Sequence, residues 1–152
     1  METKTLPRRK RPAHGVHRRH DRPTLVYDTV CVRDRRSVLD DPLIHDLLRE
    51  VWTEADRWRV GRYVIMPDHI HYFAAPWAET YELEPWVKYW KSIFRRRSGI
   101  FLQSGHWDTR IRSARRYQET WEYVVQNPVR KGLVDAPELW PYQGELFELP
   151  WR

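Results

Sequence analysis

Two runs of strand-forming residues, separated by a two-residue turn, constrain this chain more than any other feature. Val60 to Met66 is followed at once by Pro67-Asp68, and His69-Ile70-His71-Tyr72-Phe73-Ala74-Ala75 then resumes the strand pattern. β-Branched and aromatic residues favour strands, and a proline-led pair favours a tight turn. So short a link permits only antiparallel pairing, because parallel neighbours need a crossover of a dozen residues or more. An antiparallel hairpin therefore sits in the middle of the chain, and the other elements are read around it.

Upstream, Thr24 to Val32 is rich in β-branched residues and reads as a strand, followed by a charged turn over Arg33 to Arg36. Asp40 or Asp41 caps a helix with Pro42 in its first turn. Ile44, Leu47, Leu48, Val51 and Trp52 recur at helical spacing and carry that helix to about Trp58. Downstream, Pro85 opens a second helix that Gly99 ends, with Trp86, Trp90, Ile93 and Phe94 as its apolar stripe. Trp107 to Ser113 reads as a fourth strand. A third helix runs from about Ala114 to Asn127, where Pro128 bends or ends it. The order β-α-β-β-α-β, then α, predicts an α+β, ferredoxin-like antiparallel sheet with two helices on one face and the other face available for a ligand. The aromatic segment from Trp140-Pro141-Tyr142 onward is expected to pack on this body. The expected division is a basic arm over 1–22, a domain over 23–142 and a tail over 143–152.

Charge separates the arm from the body. The net charge is +6, and residues 1–20 account for all of it. Lys4, Arg8, Arg9, Lys10, Arg11, Arg18 and Arg19 stand there against Glu2 alone. Such an arm suits a polyanion, most simply nucleic acid, or serves as a solubilising tail. A second basic cluster, Lys88, Lys91, Arg95, Arg96 and Arg97, crowds the end of the second helix. It reads either as phosphate-contacting surface or as a solvated last turn favoured by the helix dipole. Nine Trp and eight Tyr are many for 152 residues. Rings interleaved with cations can stack single-stranded bases, although most should fill the core. A single cysteine, Cys31, excludes an intrachain disulfide framework and a multi-cysteine zinc site. No stretch approaches the roughly 20 apolar residues of a membrane span. No secretory signal opens the chain, so a reducing, cytoplasmic setting is expected.

His69 and His71 carry the chemistry. Two positions apart on a strand, they share one face while Ile70 takes the other, so both imidazoles can converge on one divalent metal. Asn127 offers an amide oxygen as a third ligand. Tyr123 lies one helical turn before it on the same polar face. A phenol is a poor nucleophile at neutral pH, but a nearby cation favours the phenolate. The competing readings are half-buried strand histidines, a packed tyrosine and an asparagine at a helix end.

These residues carry a resemblance. Tyr63-Val64-Ile65-Met66-Pro67-Asp68-His69-Ile70-His71 resembles the Met-Pro-Asn-His-hydrophobic-His signature of the HUH single-tyrosine transposases. Gly105-His106-Trp107-Asp108 is similar to their Gly-aromatic-aromatic-Asp segment. Trp121 to Val134, with Tyr123, Asn127-Pro128-Val129-Arg130 and Gly132-Leu133-Val134, is similar to their tyrosine block. Together, over about residues 23–142, the three motifs resemble the REP-associated tyrosine transposase branch. The departures are Asp68 where Asn is usual, Leu102 where Trp is frequent and His106 in an aromatic position.

The resemblance implies a metal-dependent enzyme that nicks and rejoins single-stranded or hairpin DNA. Tyr123 would form a 5′-phosphotyrosine link. His69, His71 and Asn127 would hold Mg²⁺ or Mn²⁺. A monomer is expected over a homodimer. The alternatives are a non-catalytic or domesticated hairpin-binding module on the same fold, or a metal phosphoesterase that uses water.

Overall fold

The computed structural model describes residues 24–78 and 80–151, so the basic arm, with Arg8, Arg9, Lys10, Arg11, Arg18 and Arg19, lies outside the described residues. The strands are β1 (Leu25–Cys31), β2 (Trp58–Ile65), β3 (His69–Pro76), β4 (Trp107–Ile111) and β5 (Gln143–Glu145). The helices are α1 (Pro42–Glu54), α2 (Leu83–Ser98), α3 (Ala114–Val125) and the short α4 (Asn127–Arg130). The strands form one antiparallel sheet in the order β4-β1-β3-β2-β5. The first four strands give the ferredoxin-like arrangement, and β5 extends it beyond β2.

The hairpin forms where the turn residues place it. Met66 N–H donates to the His69 carbonyl at 2.8 Å, closing the Pro67-Asp68 turn. β1 then pairs with β3, opposing Cys31 to His69 and Thr29 to His71. Helix α1 starts at Asp41, whose carboxylate accepts from the Leu43 and Ile44 backbone N–H groups. It stops at Glu54, four residues before the expected end, because Trp58 belongs to β2 and pairs with Pro76. Helix α2 ends at Gly99, which adopts φ 72°, a left-handed conformation that glycine takes without a Cβ clash.

Side chains alternate across the sheet, and each face has its own core. On one face, Ile70, Tyr72 and Ala74 pack with Val26, Val30 and Tyr63 against Trp52 of α1 and Trp86 and Trp90 of α2. Trp52 and Trp90 are fully buried, with ring centres 5.8 Å apart. The other face was expected to stand open. It is partly covered instead, because Leu25, Phe73, Ala75 and Ile111 are apolar and must leave water. Tyr117 of α3 meets Phe73 edge to face at 4.6 Å, and Leu149 joins the same cluster. Val64, Met66, Val124 and Trp140 form a neighbouring cluster.

The segment after Trp140 packs on the body, as expected, and also supplies β5. Trp140 Nε1–H donates to the Ile65 carbonyl at 3.0 Å, and Ile65 N–H donates to Tyr142. Among the described residues, no helix is long and apolar enough to cross a membrane.

Candidate active site

Strand β3 delivers His69 and His71 to the face that α3 covers, at the end of the sheet that holds the Pro67-Asp68 turn, with His69 buried. Their Nε2 atoms are 3.1 Å apart. Each ring is held from behind. His69 Nδ1–H donates to Asp68 Oδ1 at 2.6 Å. His71 Nδ1 lies 2.8 Å from the Tyr27 hydroxyl and 2.9 Å from Thr29 Oγ1, both on β1. With Nδ1 protonated on both rings, the two Nε2 lone pairs face each other, an arrangement that repels unless a proton or a cation lies between them. Anchoring of Nδ1 by a carboxylate or hydroxyl is what orients metal-binding histidines.

Asn127 completes the triangle. Its amide nitrogen stands 3.0 Å from His71 Nε2 and 3.4 Å from His69 Nε2. Turning the amide about its terminal bond brings Oδ1 to the same place. Two imidazole nitrogens and one amide oxygen therefore converge on one point, a donor set that fits a divalent ion with mixed nitrogen and oxygen preference. The chain reaches this geometry by breaking a helix. Pro128 has no N–H to give to the Val124 carbonyl, so α3 stops at Val125 rather than at the expected Asn127. A fresh turn starts at Asn127, and Lys131 N–H closes it on the Asn127 carbonyl at 3.0 Å.

Tyr123 stands on α3 beside this point, with 54% of its surface exposed. The Arg130 guanidinium lies 4.0 Å from the centre of its ring and donates to the Tyr123 carbonyl at 2.8 Å. The Arg130 charge reaches both Tyr27 and His71, and ionisation of Tyr123 would oppose that of Tyr27, so all four groups share one locality. Burial, then the neighbouring His69 and Arg130 charges, push the His71 pKa well below its usual range. Neutral imidazole is the form that binds metal. Burial also raises Tyr27 to about 12 against a lowering hydrogen bond from Thr29, so this phenol stays protonated. The hydrogen bond from His69, and that from Arg35 at 2.9 Å, outweigh burial and bring Asp68 down to about 2. Asp68 is thus a carboxylate behind His69 throughout the neutral range. Arg35 holds it from a backbone with φ 59°, an uncommon conformation for a side-chain-bearing residue.

A second constellation lies on the opposite face. Glu84, His106 and Asp108 bring donor atoms within 4.8 Å of one another, close enough to hold a metal ion. His106 is buried, with Nδ1 2.9 Å from Asp28 Oδ1 and Nε2 3.0 Å from Glu84 Oε2. Burial opposes its charge, but Asp28 and Glu84 overcome this and raise its pKa to about 9. The imidazolium then occupies the place that a cation would take. Tyr72 donates to the other oxygen of Asp28 at 2.5 Å.

The structure brings His69, His71 and Asn127 together with Tyr123 nearby. It does not bring the basic cluster of α2 to them, since α2 packs on the other face of the sheet. Lys91 donates to the Gln103 carbonyl, and Arg97 pairs with Glu54 at 2.7 Å. Lys88, Arg95 and Arg96 are exposed. Tyr27, Thr29, Arg35 and Arg130 were not singled out from the sequence. Only Arg130 left a signal there, seven residues after Tyr123 and so two helical turns away.

No family profile matches the chain. A curated relative, the REP-associated tyrosine transposase of Escherichia coli K12, is 27% identical over 122 residues, which span 75% of this chain and 72% of that protein. The chain resembles the REP-associated tyrosine transposases. A solved REP-associated tyrosine transposase bound to a REP hairpin has the same fold, with a TM-score of 0.70 at 21% identity over 90% of this chain and 95% of that one. A structure assigned as a transposase from Deinococcus radiodurans R1 gives a TM-score of 0.51 at 19% identity, over 69% of this chain and 92% of that one.

Proposed function

We propose that the chain is a transposase of the REP-associated kind, which recognises hairpin DNA and breaks and rejoins a single strand through Tyr123. The observation that carries this reading is the convergence of His69, His71 and Asn127 within 3.4 Å of one another, beside a tyrosine with a guanidinium over its ring. Mg²⁺ or Mn²⁺ would be held by His69 Nε2, His71 Nε2 and Asn127 Oδ1, and when bound would polarise a scissile phosphate as a Lewis acid.

The protein's own groups do the rest. Asp68 and the Tyr27–Thr29 pair keep the two imidazoles aimed at one point. Arg130, over the Tyr123 ring, offers a positive charge to the phosphate that the tyrosine attacks. The Tyr123 oxygen bonds to phosphorus and its proton leaves to solvent, while the P–O3′ bond breaks and O3′ takes a proton from solvent to leave as a free hydroxyl. A 5′-phosphotyrosine results. Attack by a 3′-hydroxyl on that bond reverses the step and rejoins a strand. The phosphodiester energy stays in the protein–DNA bond, so no nucleotide cofactor is required.

Incubation of the protein with labelled hairpin DNA and Mn²⁺ tests this. A denaturant-resistant adduct is expected with Mn²⁺ and none with a chelator, while hairpin binding persists in both. Binding without cleavage would make the protein a hairpin-binding module. Cleavage without an adduct would make it a phosphoesterase that uses water.

A further inference from the structure

The end of the sheet that holds Asp68 and His69 carries a second arrangement of groups, which the site does not use. After β1 the chain runs on beside residues 101–103. Val32 bridges to Leu102, Arg33 N–H donates to the Phe101 carbonyl at 2.8 Å, and Gln103 N–H donates to the Cys31 carbonyl. On the other side of β1, Val32 N–H donates to the Asp68 carbonyl at 2.9 Å. The backbone of Phe101 is therefore two strand spacings from that of Asp68, roughly 10 Å.

Phe101 is an exposed aromatic side chain, and two cations are gathered around it. The Arg33 guanidinium lies 4.5 Å from the ring centre and the Arg95 guanidinium 3.9 Å. The two charges lie within about one Debye length of each other at 0.1 M salt, ~10 Å, so they repel. The nearby acids do not relieve this. Asp34 pairs with Arg36 at 2.7 Å, and Asp68 pairs with Arg35 at 2.9 Å. Among the described residues, neither Arg33 nor Arg95 has a carboxylate partner. Two like charges fixed around one exposed ring, with Asp34 and Asp68 paired elsewhere, make a site that gains most from a ligand carrying two anions and a stackable face.

We infer that Arg33, Phe101 and Arg95 form a clamp for single-stranded nucleic acid, the two guanidiniums taking neighbouring phosphates and the ring giving a base a surface to stack on. This rests on the reading of the protein as a DNA-processing enzyme and adds the path of the strand. From His69 the strand runs round the end of the sheet, across β1, to Phe101. A few nucleotides of single strand cover that span. The clamp lies on the side of the sheet end that α2 reaches. It gives Arg95 a function that Arg97, paired with Glu54, does not share.

The test uses the full chain, a labelled twelve-nucleotide oligothymidylate and a chelator, so that neither metal nor cleavage enters. Affinity is read by fluorescence anisotropy between 50 and 200 mM salt. Losing two phosphate contacts to a single strand should reduce the log–log salt slope of R33Q/R95Q by about 1.4, with roughly tenfold weaker binding at low salt. R33K/R95K should recover the slope. Phe101→Leu keeps both charges, so it should weaken binding by ~5-fold or more with the slope unchanged. Arg57→Gln, beside Tyr81 and far from the β1–β3 end that holds His69, should leave both readings as in the wild type. An unchanged slope in R33Q/R95Q, an equal fall in Arg57→Gln, or no oligothymidylate binding by the wild type would each overturn the clamp. The adduct assay is independent. A clamp that passes while the wild type forms no adduct leaves a single-strand binding protein without the proposed chemistry.

Discussion

Asp68 stands immediately before a candidate metal ligand, and its charge decides how firmly that ligand is held. Its carboxylate takes the Nδ1–H of His69 at 2.6 Å and the Nε–H of Arg35 at 2.9 Å, and its pKa falls to about 2. Loss of such a partner behind a metal-binding histidine lowers metal affinity by about 10- to 100-fold. Asp68→Ala should weaken Mn²⁺ binding by that factor in calorimetry. Asp68→Asn should lose less, because an amide oxygen still accepts the Nδ1–H. Equal affinity in Asp68→Ala and the wild type would remove Asp68 from the site. Two tyrosines on α3 make the matching contrast for the nucleophile. Tyr117 is fully buried against Phe73, whereas Tyr123 is 54% exposed under Arg130. Tyr123→Phe should abolish the protein–DNA adduct and Tyr117→Phe should retain it. A DNA-linked peptide that contains another tyrosine would refute the assignment.

At the scale of elements, His106 ties three of them together. Entering β4, it meets Asp28 of β1 and Glu84 of α2 while almost wholly buried. Its folded pKa, about 9, lies above the unfolded value near 6.5, so folding favours the protonated form. The stabilisation is fully present below pH ~6.5 and is lost as pH rises through about 9. Its size is roughly 3 kcal/mol by linkage. Urea unfolding should therefore show the wild type losing stability between pH 6 and pH 10 by an amount that His106→Gln, always neutral, does not lose. Parallel curves for the two proteins would show that His106 is not charged in the fold. The element boundaries in the sequence were clear where a local cause set them. Asp41 caps α1, Gly99 closes α2 and Pro67-Asp68 turns the hairpin. β5 had no such signal. Gln143-Gly144-Glu145 alternates nothing and pairs only because β2 presents a free edge.

For the whole molecule, charge and chemistry sit in different places. The net charge of +6 belongs to residues 1–20, and the described body carries its cations mostly against acids or rings. Removing residues 1–20 should weaken hairpin binding and flatten its salt dependence, because each lost phosphate contact lowers the slope by about 0.9 on a duplex. The adduct formed at saturating DNA should be unchanged. A salt slope equal to that of the full chain would show that the arm does not touch DNA.

The sequence by itself determined the first four strands, the three long helices and the partition of faces. Strand alternation puts His69 and His71 on one side and Ile70 on the other, whatever the rest of the chain does. It also placed Tyr123 one turn from Asn127. What it could not determine was contact between distant segments. Tyr27 and Thr29 reach His71 from 44 and 42 residues away in the chain, and Arg35 reaches Asp68 across 33. Such contacts are set by strand register and by where a loop closes, and neither leaves a periodic trace in the chain. The tertiary structure alone decided that the second face of the sheet is half covered, because its apolar residues had to be buried. It also decided that the break after α3 brings the Asn127 amide to the two imidazoles.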